Sequence, residues 1–190
     1  MISKNELRQL IFKKRQQLSQ AYRQEAQNKI YQQVFDLPLF KAAKSVLIYT
    51  STEEEMDTRP IIEEGWKLGK TMTVPRVYPK RQMEAHVITP DSTYQVSKFG
   101  IPEPLADSPI IDPQDLDLII MPCVSCNNQG QRIGYGGGFY DRFLLRAKKV
   151  PVILPYFAKL QSEEIPTEDH DQTVDVVITE EGTIDLRSKD

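Results

Sequence analysis

Apolar residues follow a helical period at the start of the chain and a strand pattern after it. Leu7, Leu10 and Ile11 form an i, i+3, i+4 stripe, with Leu18 further along. Ser3-x-x-Glu6 ahead of them reads as a capping box that opens the helix. Ala26, Ile30 and Val34 share one face of a second helix, predicted from about Ala21 to Phe35, with Pro38 marking its end. From there strand and helix patterns alternate. Ser45 to Thr50 reads as a buried strand, and Thr58 to Leu68 as a helix with Thr58 as N-cap and Pro60 in its first turn. Gly69 stops that helix. Thr71 to Pro75 is a second strand and Glu84 to Ile88 a weaker third. Lys98 to Pro113 holds four prolines and reads as an ordered loop. Leu116 to Met121 is a strong strand, Phe139 to Arg146 a helix, and Val150–Leu154 and Val174–Thr179 the closing strands.

Continuous Val/Ile/Leu runs alternating with helices predict a mostly parallel open sheet covered on both faces, an α/β fold of Rossmann-like type. Residues 1–190 show no repeat, low-complexity tract or linker, so a single domain is expected. Ligands of such folds sit beyond the carboxyl ends of the strands.

Four of the nine glycines lie within five residues, in Arg132-Ile-Gly-Tyr-Gly-Gly-Gly-Phe-Tyr-Asp-Arg142. Glycine weakens helices and strands, so this density points to a sharp turn or a close backbone approach to a ligand. The run precedes a helical stretch, where free amides can seat phosphate. It is not a Walker A loop, because no Gly-Lys-Ser/Thr follows. Phe139 stands where a dinucleotide fingerprint needs a third glycine or alanine, and a kinase-type loop fails for the same reason. Arg132 offers a fixed positive charge or is a surface loop charge. Phe139 and Tyr140, with Tyr135, offer faces for a flat heterocycle or belong to the core. Asp141 is placed to hold Mg²⁺ or to favour the helix dipole.

Charge and composition narrow the class. The chain of 190 residues carries a formal net charge of −3, which argues against charge-driven nucleic-acid binding. No apolar run approaches the roughly 20 residues that span a bilayer, and the charged N-terminus lacks a signal-peptide pattern. A cytoplasmic enzyme or binding protein is expected, a monomer or weak dimer. Cys123-x-x-Cys126 is the one motif of another kind. A structural zinc needs four ligands, and only His86 and His170 are left to complete a set. The pair reads as a strand end entering a loop, where a redox site would use a helix N-terminus.

The glycine run resembles the signature of the 5-formyltetrahydrofolate cyclo-ligase family, and the resemblance extends nearly end to end. Lys4-x-x-Leu7-Arg8, Glu55-Met-Asp-Thr58, Pro75-Arg76, Gly100-Ile-Pro-Glu-Pro104, Asp117 to Pro122, His170-Asp171 and Val174 to Glu180 follow in the family's order and spacing. The resemblance implies a three-layer α/β/α fold and an ATP- and Mg²⁺-dependent enzyme of folate one-carbon metabolism. Its reaction would convert 5-formyltetrahydrofolate to 5,10-methenyltetrahydrofolate, with ATP going to ADP and phosphate. It implies ATP contacts at Lys4, Asn5, Glu6, Leu7 and Arg8, and along Arg132, Ile133, Gly134, Tyr135, Gly136, Gly137, Gly138, Phe139 and Tyr140. It implies folate contacts at Thr50 and Glu55 and from Tyr135 to Phe139, with Asp141 and Asp171 as metal ligands. Lys4, Arg8 and Arg132 would supply the charge that phosphoryl transfer needs. The chain departs from the family pattern at Asn127, where a carboxylate is usual, and between Leu154 and Leu160, which lacks the usual Gln. A non-catalytic nucleotide- or folate-binding module is the alternative, to be told apart by turnover.

Overall fold

A computed structural model of the chain describes residues 1–187. The chain opens with α1 (Lys4–Gln17), α2 (Gln20–Asp36) and α3 (Pro38–Ala42), then β1 (Ser45–Ile48) and α4 (Arg59–Lys67). Next come β2 (Thr71–Tyr78), β3 (Gln82–Ile88), β4 (Tyr94–Val96), β5 (Pro102–Pro104) and β6 (Ile110–Ile111). After these are β7 (Leu118–Ile120), β8 (Ser125–Cys126), β9 (Arg132–Ile133), α5 (Phe139–Leu145), β10 (Val152–Pro155), β11 (Val176–Thr179) and β12 (Gly182–Asp185).

Eight strands form one sheet in the order β12-β11-β10-β7-β1-β2-β3-β6. The run from β11 to β2 is parallel, and β12, β3 and β6 join antiparallel. The fold is therefore the expected α/β type. Residues of β7, β10 and β11 are buried throughout, which explains their continuous apolar runs. From β1 the chain steps to β2 through α4, whereas β7 steps away from β1 to β10 through α5. Right-handed crossovers in opposite directions put α4 and α5 on opposite faces. α2 lies against β11 and touches α4, so the two cover one face together. The core joins Ile30, Val34 and Phe40 to Leu47, Ile119, Ile153 and Val176, all fully buried. Each such side chain stabilises the fold by roughly 1.5–3 kcal/mol.

Several local expectations change. Pro38 starts α3 and does not merely end α2, because its fixed φ suits a first helical turn. Leu10 is 44% exposed, and the buried stripe of α1 is Leu7, Ile11 and Arg15. Thr58 holds the N-cap position of α4, but no side chain caps there. Its hydroxyl donates instead to the Tyr49 carbonyl at 2.9 Å, which closes the loop after β1. The proline-rich stretch contains β5 and β6 and buries Glu103, whose carboxylate accepts the Val77 amide at 2.8 Å. β12 pairs with β11 through a tight hairpin where no strand was expected.

His86 on β3 is fully buried. Its Nδ1 lies 3.0 Å from the Ser108 carbonyl, and its Nε2 2.8 Å from the Tyr78 hydroxyl. The carbonyl can only accept, so Nδ1 carries the proton and Nε2 accepts from Tyr78. Burial lowers the ring's pKa below 6.5; the Ser108 carbonyl opposes it, the Arg76 charge adds to it, and Glu84 and Glu103 oppose it. The unfolded chain thus takes up the proton more readily. Stability from this group is complete above about pH 6.5 and is lost as pH falls towards the lower folded value. Tm is expected to fall between pH 7 and pH 5, and to fall less steeply in His86→Gln. Parallel slopes in calorimetric scans would place the acid sensitivity elsewhere.

Candidate active site

β1 and β7 lie side by side, and the chain leaves them towards opposite edges. This is the switch point of the sheet, where the loops after the two strands diverge and leave a crevice. The crevice holds a cavity of about 10 Å³ lined by Arg15, Tyr49, Glu55, Cys123, Tyr156 and Phe157, among others. That is room for about one water molecule.

Three segments converge on it. α1 does not lie on the main sheet. Leu7 and Ile11 pack with Val124, Ile133 and Ile165, which docks the helix on the β8–β9 hairpin. The predicted capping box is present, with the Glu6 amide donating to Ser3 Oγ at 3.1 Å and the Ser3 amide to Glu6 Oε2 at 2.7 Å. Leu7 faces the core and Glu6 serves the cap, while Lys4, Arg8, Phe12 and Arg15 are the side chains α1 turns to its neighbours.

The glycine run follows directly from β9. Arg8 Nε donates to the Gly134 carbonyl at 2.8 Å, and its guanidinium lies beside Gly136. Gly138 sits in the left-handed region at φ 72° and starts α5 without a side-chain cap, a conformation that glycine adopts freely. Phe139 packs edge-on against Phe99 of the proline-rich segment, with centroids 6.0 Å apart. Arg81, at the tip of the β2–β3 hairpin with φ 59°, extends its guanidinium towards Gly138.

Two ion pairs stand at the far end of the run. Arg132 Nη2 meets Asp141 Oδ1 at 2.6 Å, and Lys4 Nζ meets Asp171 Oδ2 at 2.8 Å. The Gln172 amide reaches Asp141 Oδ1 at 3.4 Å and links the two pairs. Arg132 is buried, with Nε lacking any hydrogen-bond partner, so it is not a surface loop charge. Burial pushes the Asp171 carboxyl upward. Hydrogen bonds from Lys4 and the Glu168 amide, with the charges of Lys4 and His170, overcome that and hold it below the ordinary range. Ligand atoms of Glu168, His170 and Asp171 lie within 4.8 Å of one another.

On the crevice side, the Tyr135 hydroxyl donates to Glu55 Oε2 at 3.0 Å and accepts from Arg15 Nη1 at 2.7 Å. The other oxygen of Glu55 accepts the Thr52 amide at 2.9 Å. α2 fixes this loop from outside: Arg23 donates to the carbonyls of Glu53 and Glu55, and Gln27 accepts the Asp57 amide. Burial, then the Glu55 charge, raises the pKa of both Tyr135 and Tyr140, so both stay protonated. Thr50 stands half-buried just past β1.

The structure brings together Lys4 and Arg8 of α1, the glycine run, and Asp141 and Asp171, whereas Asn5 accepts from Arg8 on its own helix, Glu6 serves the cap and Leu7 enters the α1 core. Glu55, in the loop after β1, lines the crevice cavity, and Thr50 is not among its lining residues. Ile133 turns into the α1 core and offers no side chain. Cys123 and Cys126 are buried free thiols, and burial, then the Cys126 thiol, lifts Cys123 well above the ordinary range. Asn127 folds its own loop: its side-chain oxygen accepts the amides of Gln129 and Gln131. Arg15, Phe12 and Arg81 were not foreseen. Only Arg15 carried a signal, as the residue at the i+4 step after Leu7 and Ile11.

An open α/β sheet with a glycine loop, a basic helix and an acidic corner at its switch point is the frame of an enzyme acting on small molecules. Residues 1–180 match the 5-formyltetrahydrofolate cyclo-ligase family. The 5-formyltetrahydrofolate cyclo-ligase of Escherichia coli K12 is 31% identical over 176 residues, covering 90% of this chain and 96% of that one. The Haemophilus influenzae enzyme of the same name is 30% identical over 174 residues, covering 88% and 92%. The solution structure of Aquifex aeolicus 5,10-methenyltetrahydrofolate synthetase superposes with a TM-score of 0.86 at 31% identity, covering 100% of this chain and 95% of that one. The chain belongs to the 5-formyltetrahydrofolate cyclo-ligase family.

Proposed function

We propose that this enzyme converts 5-formyltetrahydrofolate to 5,10-methenyltetrahydrofolate in the cytoplasm, with ATP going to ADP and phosphate. One observation supports this most: the glycine run has the Arg8 and Arg132 guanidiniums against its glycines, with Lys4 one turn before Arg8 on α1, while its own Tyr135 reaches Glu55 in the crevice. ATP phosphates against the run and a reduced folate in the crevice would meet at the loop.

An N-formyl group is a poor electrophile. Moving the γ-phosphoryl group to the formyl oxygen activates the carbon for attack by N10. Ring closure then expels phosphate, which carries the formyl oxygen away. The first step needs positioning and charge more than a nucleophile. Lys4 and Arg132 are held by Asp171 and Asp141, so phosphates can draw these cations to themselves. Glu168, His170 and Asp171 bring their ligand atoms within 4.8 Å of one another, and Asp141 is tied to this corner through the Gln172 amide; the hard carboxylate oxygens here are of the kind that suits Mg²⁺. When bound, the ion would neutralise charge on the phosphate oxygens. Holding the pterin and N10 in register lowers the entropic cost of cyclisation.

Purified protein mixed with Mg-ATP and 5-formyltetrahydrofolate is expected to produce the near-ultraviolet absorbance of the methenyl product. No change should occur without ATP. Binding of both ligands with no product would establish a non-catalytic module instead.

A further inference from the structure

We propose that Arg15, together with Glu55, reads the hydrogen-bonding edge of the substrate's pterin ring, and that the Tyr135 hydroxyl occupies that position until substrate displaces it. This rests on the reading that the crevice takes a reduced folate.

Arg15 is 3% exposed and forms no ion pair among the described residues. Its Nη2 donates to the Cys123 carbonyl at 2.8 Å, its Nη1 to Tyr135 at 2.7 Å, and its Nε has no partner. A buried guanidinium held only by neutral acceptors is costly. It persists where a ligand supplies what the protein does not. The carboxylate nearest in role is Glu55, and one atom separates the two: the Tyr135 oxygen, which accepts from Arg15 and donates to Glu55. Without that hydroxyl, a charged donor and a charged acceptor would stand side by side at the mouth of the crevice. A 2-amino-4-oxo pyrimidine edge carries the complement, an oxo group that accepts beside a ring N–H that donates.

The surroundings suit a flat ring. Phe12 stacks on Tyr135 at 6.2 Å with 21° between planes, and Arg15 lies over both rings at 5.7 and 5.5 Å. Tyr49, Tyr156 and Phe157 wall the cavity behind. At about 10 Å³ that cavity admits no heterocycle as it stands, so the ring would enter where the Tyr135 hydroxyl bridges Arg15 and Glu55. Tyr135 belongs to the glycine run, so its release would couple folate entry to the loop that seats ATP.

The test is the KM for each substrate and calorimetric binding of 5-formyltetrahydrofolate alone, in wild type, Arg15→Met, Arg15→Lys and Tyr135→Phe. Arg15→Met is expected to weaken folate about 10- to 100-fold, the loss of one charged hydrogen bond, with KM for ATP within twofold. Arg15→Lys should recover part of this, since a lysine keeps the charge but not the fork. Tyr135→Phe keeps the ring stack and removes the competitor, so folate should bind several-fold tighter. Unchanged folate affinity in Arg15→Met, or equal losses for ATP and folate, would overturn the proposal. If Arg15→Met does not fold, unchanged or weaker folate binding in Tyr135→Phe would overturn it. Wild-type protein that binds folate without turnover would remove the cyclo-ligase reading yet leave the binding comparison decisive.

Discussion

Gly137→Ala is expected to lower kcat/KM for ATP about 100-fold while the protein stays folded. A Cβ on Gly137 would stand 2.7 and 2.8 Å from two carbons of the Phe139 ring. No real Cβ makes such a contact, so either the ring or the loop must move. The ring is not free to do so, because it packs edge-on against Phe99. The loop therefore yields, and Gly136 and Gly138 on either side let it, both being at positive φ. A shift on the order of 1 Å in a group that aligns phosphates costs about 10²-fold in rate. Stability should suffer less than activity, because none of the run's glycines belongs to the main core although Phe139 and Tyr140 pack against it, and local overpacking costs roughly 1–3 kcal/mol. The measurement pairs the absorbance assay with a thermal scan. A Tm lowered by far more than that would make the glycines structural. Unchanged kinetics would remove the run from ATP binding. Adding Phe99→Ala gives the ring somewhere to go, so the double variant should regain part of the activity.

What the sequence revealed depended on how local each cause is. The capping box of α1 is written within four residues, and it is present as read. The buried strands show because two covered faces force unbroken apolar runs. The β8–β9 hairpin was missed because its strands are two residues each, too short for any period. The positive φ of Lys80 and Arg81 has no signal either, since turn residues of that kind are normally Gly or Asn. Arg15 stands out less in the sequence for a different reason. An arginine on a helix is usually solvated, and only the carbonyl of Cys123 and the hydroxyl of Tyr135, 108 and 120 residues away, give it a buried place. The glycine run was legible as chemistry because glycine density has few structural uses. Its partners on α1 were legible only through the family resemblance.

Asp141→Asn carries the second large effect, and it separates ligand chemistry from structure. Asparagine keeps an oxygen that can accept from Arg132, so the 2.6 Å contact survives as a neutral hydrogen bond. The charge does not survive. Arg132 has a side chain 4% exposed and an Nε without a partner, and it would lose its counter-charge. Breaking a fully buried pair costs about 3–5 kcal/mol. Here Asp141 is 28% exposed and the amide still accepts, so about 1–2 kcal/mol is expected. Turnover should fall far more, about 10²- to 10³-fold, the loss of one charge that stabilises phosphoryl transfer. The Mg²⁺ concentration for half-maximal rate should also rise. Arg132→Gln combined with Asp141→Asn decides between the two causes. Removing both charges relieves the unpaired arginine, so Tm should return towards wild type. If the pair only held the loop together, activity would return with it. If Asp141 serves the metal and Arg132 the phosphates, the double variant will be stable and slower than either single one.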